Sequence, residues 1–582
     1  MCPPSDSHCP PHQPRIRITA AGVSGGARAA GACRVLYMVH VHYILYVYHL
    51  AHQAIAPPTD TSRAHPPPHQ TRRGRPTRPP SKRAAGGPRA GAVPPVRPEL
   101  VDRQTELAEL RRLADERRPV LALLYGRRRV GKTFLLDHAW RGHRHFYFLA
   151  ADTTAELNRQ ELLRELRAQV GDGVDTDPAN YPSWRTVFRL LADLATDEPL
   201  VVVLDEFQYL SAQADDIVSQ LVAVWDRELR GRPLMLVLCG SEVATMERLE
   251  AGDGPLYGRW TWAARLRPFD YYDAAAMVPD RSPREAALVY GIFGGTPRFL
   301  ATIKPGEALA DRVVESVLSP RGEVHLQLDR LIEQEKGIRE PAEYRALLAA
   351  IAGGTTRLEE LVQATGLGDR ANAVRRVAVL EGLELIARER NFDAHEKAAW
   401  QHRIADPAVR FWYRFVQPNR SRLETGGARQ VWVTRVEPLL NDYMGKVFEG
   451  ICREAYVRHH DAWGLPGALH WTRWEGRDRN RRPIEVDIVA RLDDGRILTG
   501  EVKWSSTPVD AAVHTELMRN LEDLAASGQG WAKDARSKGT SAGHIYFSAG
   551  GFSEDFQARA AQDAGIRLVS LEALYARPAS PQ

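Results

Sequence analysis

A chain of 582 residues has room for roughly three or four domains. Its formal net charge of +5 is unevenly placed: residues 1–98 carry 13 Lys/Arg against 2 Asp/Glu, or +11, which leaves the remainder at −6. A mildly acidic body excludes inferring nucleic-acid binding from overall charge, so that argument has to come from a local patch.

Residues 1–97 read as a disordered Pro/Arg-rich leader: residues 1–98 hold 17 of the 38 prolines, and runs such as Pro66-Pro67-Pro68 cannot build a core. The apolar island Val35 to Leu50 is 16 residues long, short of the ~20 a membrane helix needs, and the basic start and cleavage site of a signal peptide are not in place. The leader is expected to be dispensable, and its composition suits translation from upstream of the true start. Cys239 and Cys452 are the only cysteines after it and no C-x-x-C spacing occurs, which supports neither a disulfide frame nor a zinc site. A cytoplasmic location is expected.

From Leu100 the pattern becomes helical, with Asp102 as N-cap and Leu107, Leu110 and Leu113 at helical spacing. A strand is predicted over Val120 to Tyr125, followed by Gly126-Arg127-Arg128-Arg129-Val130-Gly131-Lys132-Thr133 and a helical run. G-x-x-x-x-G-K-T between a strand and a helix is a phosphate-binding loop: the glycines let backbone N–H groups curl toward one point, and the helix dipole points there too. Lys132 is expected to reach the outer phosphates and Thr133 to ligate magnesium. A second strand is predicted at His145 to Ala150, with helices near 155–170 and 183–196.

Leu200 to Leu204 is an apolar run that reads as a strand buried on both faces, and it ends in Asp205-Glu206. Asp205 is expected to hold magnesium and Glu206 to polarise the attacking water. A strand over Leu234 to Cys239 ends at Gly240-Ser241, where Ser241 either senses the terminal phosphate or sits in an ordinary turn. Trp262 to Leu266 gives a further strand. Repeated strand–helix alternation predicts an α/β fold with an open parallel sheet.

Residues 343–390 hold three short amphipathic segments, each stopped by glycine, then a β-like stretch, Glu384 to Arg388. Leu347, Ile351, Leu358, Leu361, Val374, Val377 and Leu380 fit a three-helix core, as in a winged helix-turn-helix. Arg370, Arg375 and Arg376 on its third helix could meet DNA phosphates; the alternative is a winged helix that packs against protein. Residues 405–425 pack aromatics around arginines, which suits an interdomain core. A helix is predicted over Val436 to Tyr456.

Ile484 to Ala490, the turn Asp494-Gly495, and Ile497 to Trp504 predict a β-hairpin. Folding it places Asp487 opposite Glu501, with Glu485, Asp487, Glu501 and Lys503 on one face and Val486, Ile488, Val502 and Trp504 on the other. Three carboxylates and a lysine can hold a divalent metal that activates water; a solvated face with a cross-strand Glu–Lys pair is the other reading.

Together YGRRRVGKT, LDEFQYL, Leu256-Tyr257-Gly258-Arg259, Phe293 to Pro297 and FWYRFVQPN resemble the archaeal-type ATPases, P-loop proteins of the AAA+/STAND kind whose C-terminal domain resembles PD-(D/E)xK restriction endonucleases. The resemblance implies Gly126 to Thr133 as Walker A, Asp205-Glu206 as Walker B, a winged helix near 343–390, and Glu449, Asp487, Glu501 and Lys503 as a nuclease-type cluster. Pro483 stands four residues before Asp487, displaced from the family pattern. Arg259 is a candidate phosphate-sensing arginine, a role the resemblance itself does not assign. The expected organisation is an ATPase core (98–270), helical lid (271–340), winged helix (341–400), aromatic linker (401–435), nuclease-like domain (436–575) and a disordered tail (576–582). ATP and Mg2+ are the expected cofactors, with a second divalent metal at Glu449, Asp487 and Glu501. DNA is the expected partner, self-association is left open, and no membrane is involved. The expected activity is ATP hydrolysis coupled to DNA binding or cleavage; the alternative is a nucleotide-driven switch whose winged helix and nuclease-like domain only bind.

Overall fold

The computed structural model describes residues 100–577, apart from 171–173, 197, 214–215, 230, 336–337 and 396–397. The expectations for the leader and most of the tail fall outside the described residues. The described residues belong to one compact unit.

After helix α1 (Gln104–Ala114) comes β1 (Val120–Tyr125), then α2 (Lys132–Ala139), β2 (His145–Leu149), β3 (Leu200–Asp205), β4 (Leu234–Gly240) and β5 (Trp262–Arg265). These strands form one sheet in the order β2-β3-β4-β1-β5, every pairing parallel. All six residues of β1 are buried. Leu121, Leu123 and Tyr125 enter one core, while Val120, Ala122 and Leu124 enter the other. Helices cover both faces, which is why the strand sequences are continuous apolar runs. Because β4 lies between β1 and β3, its tip at Ser241 falls between the phosphate loop and Asp205-Glu206.

Further along the chain, α3 (Pro283–Phe293) leads to three helices, α4 (Pro341–Ala352), α5 (Leu358–Thr365) and α6 (Arg370–Gly382), and an antiparallel ribbon, β6 (Ile386–Glu389) with β7 (Gln401–Ile404). Leu347, Ile351, Leu361, Val377 and Leu380 are buried as expected, and Leu358 partly so, but Val374 is 45% exposed and not a core residue. The ribbon's continuation docks on the last sheet: Asn391 Nδ2 donates to Glu475 O at 2.6 Å and Thr472 Oγ1 to Arg390 O at 2.8 Å.

Two successive segments repeat one unusual path. Pro407–Phe411 and Ala428–Val431 are α-helical; Trp412–Val416 and Trp432–Val436 widen into π-helix; Gln417–Asn419 and Glu437–Leu439 tighten into a 3-10 turn. Pro418 and Pro438 explain the path, since proline lacks an N–H and its ring clashes with the carbonyl four residues back. The N–H groups of Gln417 and Glu437 donate instead to Trp412 O and Trp432 O, a wider turn. For this reason the long helix α7 starts at Leu440 and runs to His459, not from Val436.

The second sheet holds β8 (Ala468–Arg477), β9 (Pro483–Leu492), β10 (Ile497–Lys503), β11 (Ser541–Ser548) and β12 (Ile566–Ser570) in the order β12-β11-β10-β9-β8. β8, β9 and β10 pair antiparallel, and β10, β11 and β12 parallel. Helix α8 (Ala512–Ala526) packs on one face and α7 on the other. Residues from Phe269 to Leu574 share one hydrophobic core, so the segments 271–340, 341–400, 401–435 and 436–575 are joined by apolar packing.

Glu454 on α7 lies inside this joint and accepts hydrogen bonds from Tyr290 Oη at 3.0 Å and Tyr271 N at 3.1 Å. Burial, then the charge of Asp270, pushes its carboxyl up to about 7 from 4.5. A native state that holds this proton more tightly gains stability that is fully present below pH 4.5 and lost as pH rises through 7. Raising pH across that window should cost about 1–3 kcal/mol through this group. Urea melts of Glu454→Gln against wild type should show a shallower fall in stability over the same window; parallel curves would refute the assignment.

Candidate functional site

The phosphate loop is shaped by three left-handed backbones. Gly126 (φ 152°) donates its N–H to Gly240 O, and a Cβ there would stand 2.2 Å from Leu266 O, so only glycine fits. Arg129 (φ 70°) and Gly131 (φ 96°) complete the turn, and Gly131 is the N-cap of α2. Val130, 1% exposed, anchors the loop in the core. Lys132 is buried, and its Nζ donates to Gly126 O at 2.8 Å and Arg127 O at 3.1 Å, across the mouth of the loop. Backbone N–H groups and an ammonium are thus gathered at a helix N-terminus, a site for anionic phosphate.

At the tip of β3, the Asp205 carboxylate lies 3.4 Å from Thr133 Oγ1 and accepts from Glu206 N at 2.8 Å. Tyr147 Oη, on the neighbouring strand, also donates to it. Burial, then Asp205, raises the Tyr147 pKa, which keeps the phenol a donor. Glu206 has a left-handed backbone (φ 53°) and accepts from Ser241 Oγ at 2.7 Å and from Gln208 Nε2. Ser241 is therefore tied to the acid. Tyr147 and Gln208 escaped the sequence analysis because an aromatic in a strand and an amide in a helix carry no pattern of their own.

The three arginines between the glycines aim their side chains at protein. Arg127 forms a buried ion pair with Asp406 at 2.6 Å and reaches Leu383 O at 3.4 Å. Asp406 also caps the helix Pro407–Phe411, accepting from Ala408 N at 2.9 Å. Arg128 donates to Tyr209 Oη at 2.9 Å and Arg129 to Gln334 Oε1 at 3.1 Å. Glu335, beside them, is pushed up to about 7 by burial, against the pull of Arg128 and Arg127. At the same end of the sheet Arg265 donates to Gly382 O at 2.6 Å and Arg267 pairs with Glu384 at 3.0 Å. Arg259, by contrast, is held by Asp226 at 2.7 Å.

The second constellation lies at the β9–β10 pair. The register pairs Gly500 with Ile488, so Glu501 comes next beside Asp487, and the turn is at Gly495 (φ 84°). Lys503 Nζ reaches Asp487 at 3.1 Å and Glu501 at 2.6 Å, and Val502 N donates to Asp487 at 3.0 Å. Burial and then the Asp487 charge raise the Glu501 pKa; Asp487 is held low because Lys503 and the Val502 N–H outweigh its burial. One ammonium between two half-buried carboxyls leaves one ionised and favours a proton on the other. Glu449 on α7 pairs with Lys446 at 2.9 Å, and Glu485 is held by Arg473 at 3.3 Å. Among the described residues no group of three His, Cys, Asp or Glu is set to hold a metal.

The expected alternation fails in one place. Between Thr472–Val489 and Trp474–Val486 the β8–β9 register slips, a bulge in β9 at Asp487 and Ile488. Val486 consequently enters the core under α8 while Ile488 enters the one under α7. Bulges re-aim side chains beside sites, and the carboxylate at this one is Asp487.

Of the arginines expected to face DNA, Arg376 turns inward to Glu340 and Glu343, Arg375 is bonded to Asn372, and Arg370 lies 3.4 Å from Glu359. No helix among the described residues is long and apolar enough to cross a membrane.

Residues 100–303 match the family model of an ATPase domain found predominantly in Archaea. Residues 412–515 match a model of archaeal and bacterial proteins of unknown function. The chain is 26% identical to an uncharacterized protein of Methanocaldococcus jannaschii over 410 residues, 70% of this chain and 87% of the relative. A Walker-type ATPase of Pyrococcus abyssi is similar at 22% identity and a TM-score of 0.42, with 54% of this chain and 96% of that one covered. The ORC2 protein of Aeropyrum pernix, in ADPNP and ADP complexes, is similar at 16% identity and a TM-score of 0.37, with 59% and 97% covered. The family match and the loop geometry agree on a P-loop ATPase domain.

Removing one partner of a buried ion pair leaves the other charge stranded, at a cost of about 3–5 kcal/mol. Arg127→Met and Asp406→Leu should each lose stability of that order, and the double variant should regain most of it. Additive losses in a thermal-melt double-mutant cycle would show that the pair is not coupled.

Proposed function

We propose that the chain hydrolyses ATP at the phosphate loop and uses the nucleotide state to control a DNA-directed C-terminal domain of PD-(D/E)xK type. The observation that carries the hydrolytic part is Glu206, oriented by Ser241 and Gln208, at the strand tip next to Asp205 and Thr133. In this reading backbone N–H groups of Gly126 to Thr133 cradle the phosphates, Lys132 leaves its carbonyl partners for the outer phosphates, and Glu206 orients the attacking water. Thr133 and Asp205 offer hard oxygen donors that fit magnesium, which when bound would neutralise charge on the phosphates.

The route of control is Arg127. Any movement of the loop around a nucleotide acts on Asp406, on the helix it caps, and on Leu383 at the end of the helical triplet. We read that triplet and its ribbon as a winged helix whose wing is docked on β8. At the far sheet, Asp487 and Glu501 would hold a divalent metal, with Glu449 beside them; a bound metal would supply a Lewis acid and an activated water. Lys503 would stabilise charge on a phosphate.

A second reading is favoured by the same cluster: Lys503 satisfies both Asp487 and Glu501, and Lys446 satisfies Glu449. This suits a domain that binds without cutting, driven by slow ATP turnover.

Phosphate release should fall about 100-fold or more in Glu206→Gln while nucleotide binding persists; equal rates in variant and wild type would remove Glu206 from the chemistry. A plasmid-nicking assay with magnesium and ATP separates the two readings of the C-terminal domain. Cleavage by wild type that Asp487→Ala and Lys503→Ala abolish is the expected result, and absence of cleavage together with nucleotide-dependent binding selects the switch.

A further inference from the structure

The two α–π–3-10 segments and the stretch that connects them line two adjoining clefts, of about 420 and 560 Å³, which share Arg422 and Arg435. Arg414 lines the first cleft. All three arginines are exposed, and among the described residues none has a carboxylate within ion-pair distance. Their neighbours differ: Arg420 pairs with Asp329 and Glu424, and Arg429 pairs with Asp311. In a body whose net charge is −6, three unneutralised guanidinium groups around one pair of clefts run against the general trend.

We infer that this cleft seats the phosphodiester backbone of DNA and leads it along α7 toward Lys503. The inference rests on the DNA-directed reading above and supplies the binding surface that reading lacks, since Arg376 of the helical triplet is spent on protein carboxylates. Guanidinium forks match phosphate oxygens bidentately. The remaining polar lining, Asn419, Ser421, Thr425, Gln430 and Thr434, belongs to the residue types that bind phosphate and sugar. A protein-binding patch would be centred on exposed aromatic residues; here Trp412 and Trp432 are buried behind the walls, Phe415 and Val431 in the lining are 1% exposed, and Leu439 is the large apolar lining residue with exposed surface.

The path onward is set by α7. Leu439, on the rim of the first cleft, immediately precedes the helix, and Lys446 and Glu449 lie further along it. Ten residues of helix from Leu439 to Glu449 span ~15 Å at ~1.5 Å per residue, which is four to five nucleotide steps at ~3.4 Å per strand. Gly445 lies on this stretch, and a Cβ there would meet nothing within 4 Å. Nothing in the described fold demands glycine there, and glycine admits close approach of a ligand.

The test is binding of a fluorescein-labelled duplex to the full chain by anisotropy across a salt series. The triple variant Arg414→Gln, Arg422→Gln, Arg435→Gln should bind at least tenfold more weakly, with a log–log salt slope shallower by about 0.9 for each phosphate that is no longer neutralised. The pair Arg420→Gln, Arg429→Gln removes arginines that are already partnered and should leave both quantities near wild type. An unchanged melting temperature verifies the fold of the triple variant; if it falls, Arg422→Glu alone replaces it, with weaker binding again the expected result. A triple variant that binds with wild-type affinity and slope overturns the cleft and leaves the DNA reading standing. Wild type that binds no duplex overturns both, and capture of poly-L-glutamate in its place assigns the cleft to an acidic protein.

Discussion

Arg127 and Asp406 face each other at 2.6 Å with both side chains buried. Neither charge could be taken out of water alone, so the position of each is dictated by the other. Arg127 is the second residue of the phosphate loop, and Asp406 starts the segment that leads to the C-terminal sheet. One ion pair therefore ties the phosphate loop to the segment that enters the shared core of residues 269–574. Arg265 and Arg267, bonded to Gly382 O and Glu384, repeat the constraint at the next strand tip. The rest of the loop depends on this frame. Arg128 and Arg129 reach Tyr209 and Gln334 from a backbone that is already held between the glycines.

The far sheet is governed by a similar economy of charge. Asp487, Glu501 and Lys503 satisfy one another in a partly buried setting, and the arrangement carries more acid than base at its centre. A cation or a phosphate-bearing ligand would redistribute that balance, whereas a neutral ligand would not. The bulge in the β8–β9 pairing falls at Asp487 itself, where Val486 and Ile488 turn into different cores. The two sites therefore differ in kind: one is built from backbone dipoles around a lysine, the other from side chains that compete for one.

What the sequence disclosed follows from how local each signal is. The phosphate loop was legible because strand, glycines, lysine and helix are contiguous, and the strands of the first sheet because burial on both faces leaves unbroken apolar runs. Asp494-Gly495 fixed the hairpin and with it the neighbours Asp487 and Glu501. Other features needed the third dimension. The partner of Arg127 lies 279 residues away, and no pattern in GRRRVGKT distinguishes an arginine that meets phosphate from one that meets Asp406. Tyr147 reaches Asp205 only because β2 pairs with β3. Val374 has the spacing of a core residue yet stays exposed, since helical period names a face and not what covers it. Pro438 is ambiguous locally, because proline is tolerated in the first turn of a helix begun at Val436; the helical path that already runs from Ala428 is what makes it a break.

The long reach of the Arg127–Asp406 pair also has a consequence for synthesis. A chain emerges from its N-terminus and domains tend to fold as they appear, so the parallel sheet can assemble while Asp406 has yet to be made. Until then the Arg127 guanidinium has no counter-charge and must stay hydrated, which leaves that side of the phosphate loop open. The nucleotide site is therefore finished late, by residues that belong to the part of the chain it is proposed to control.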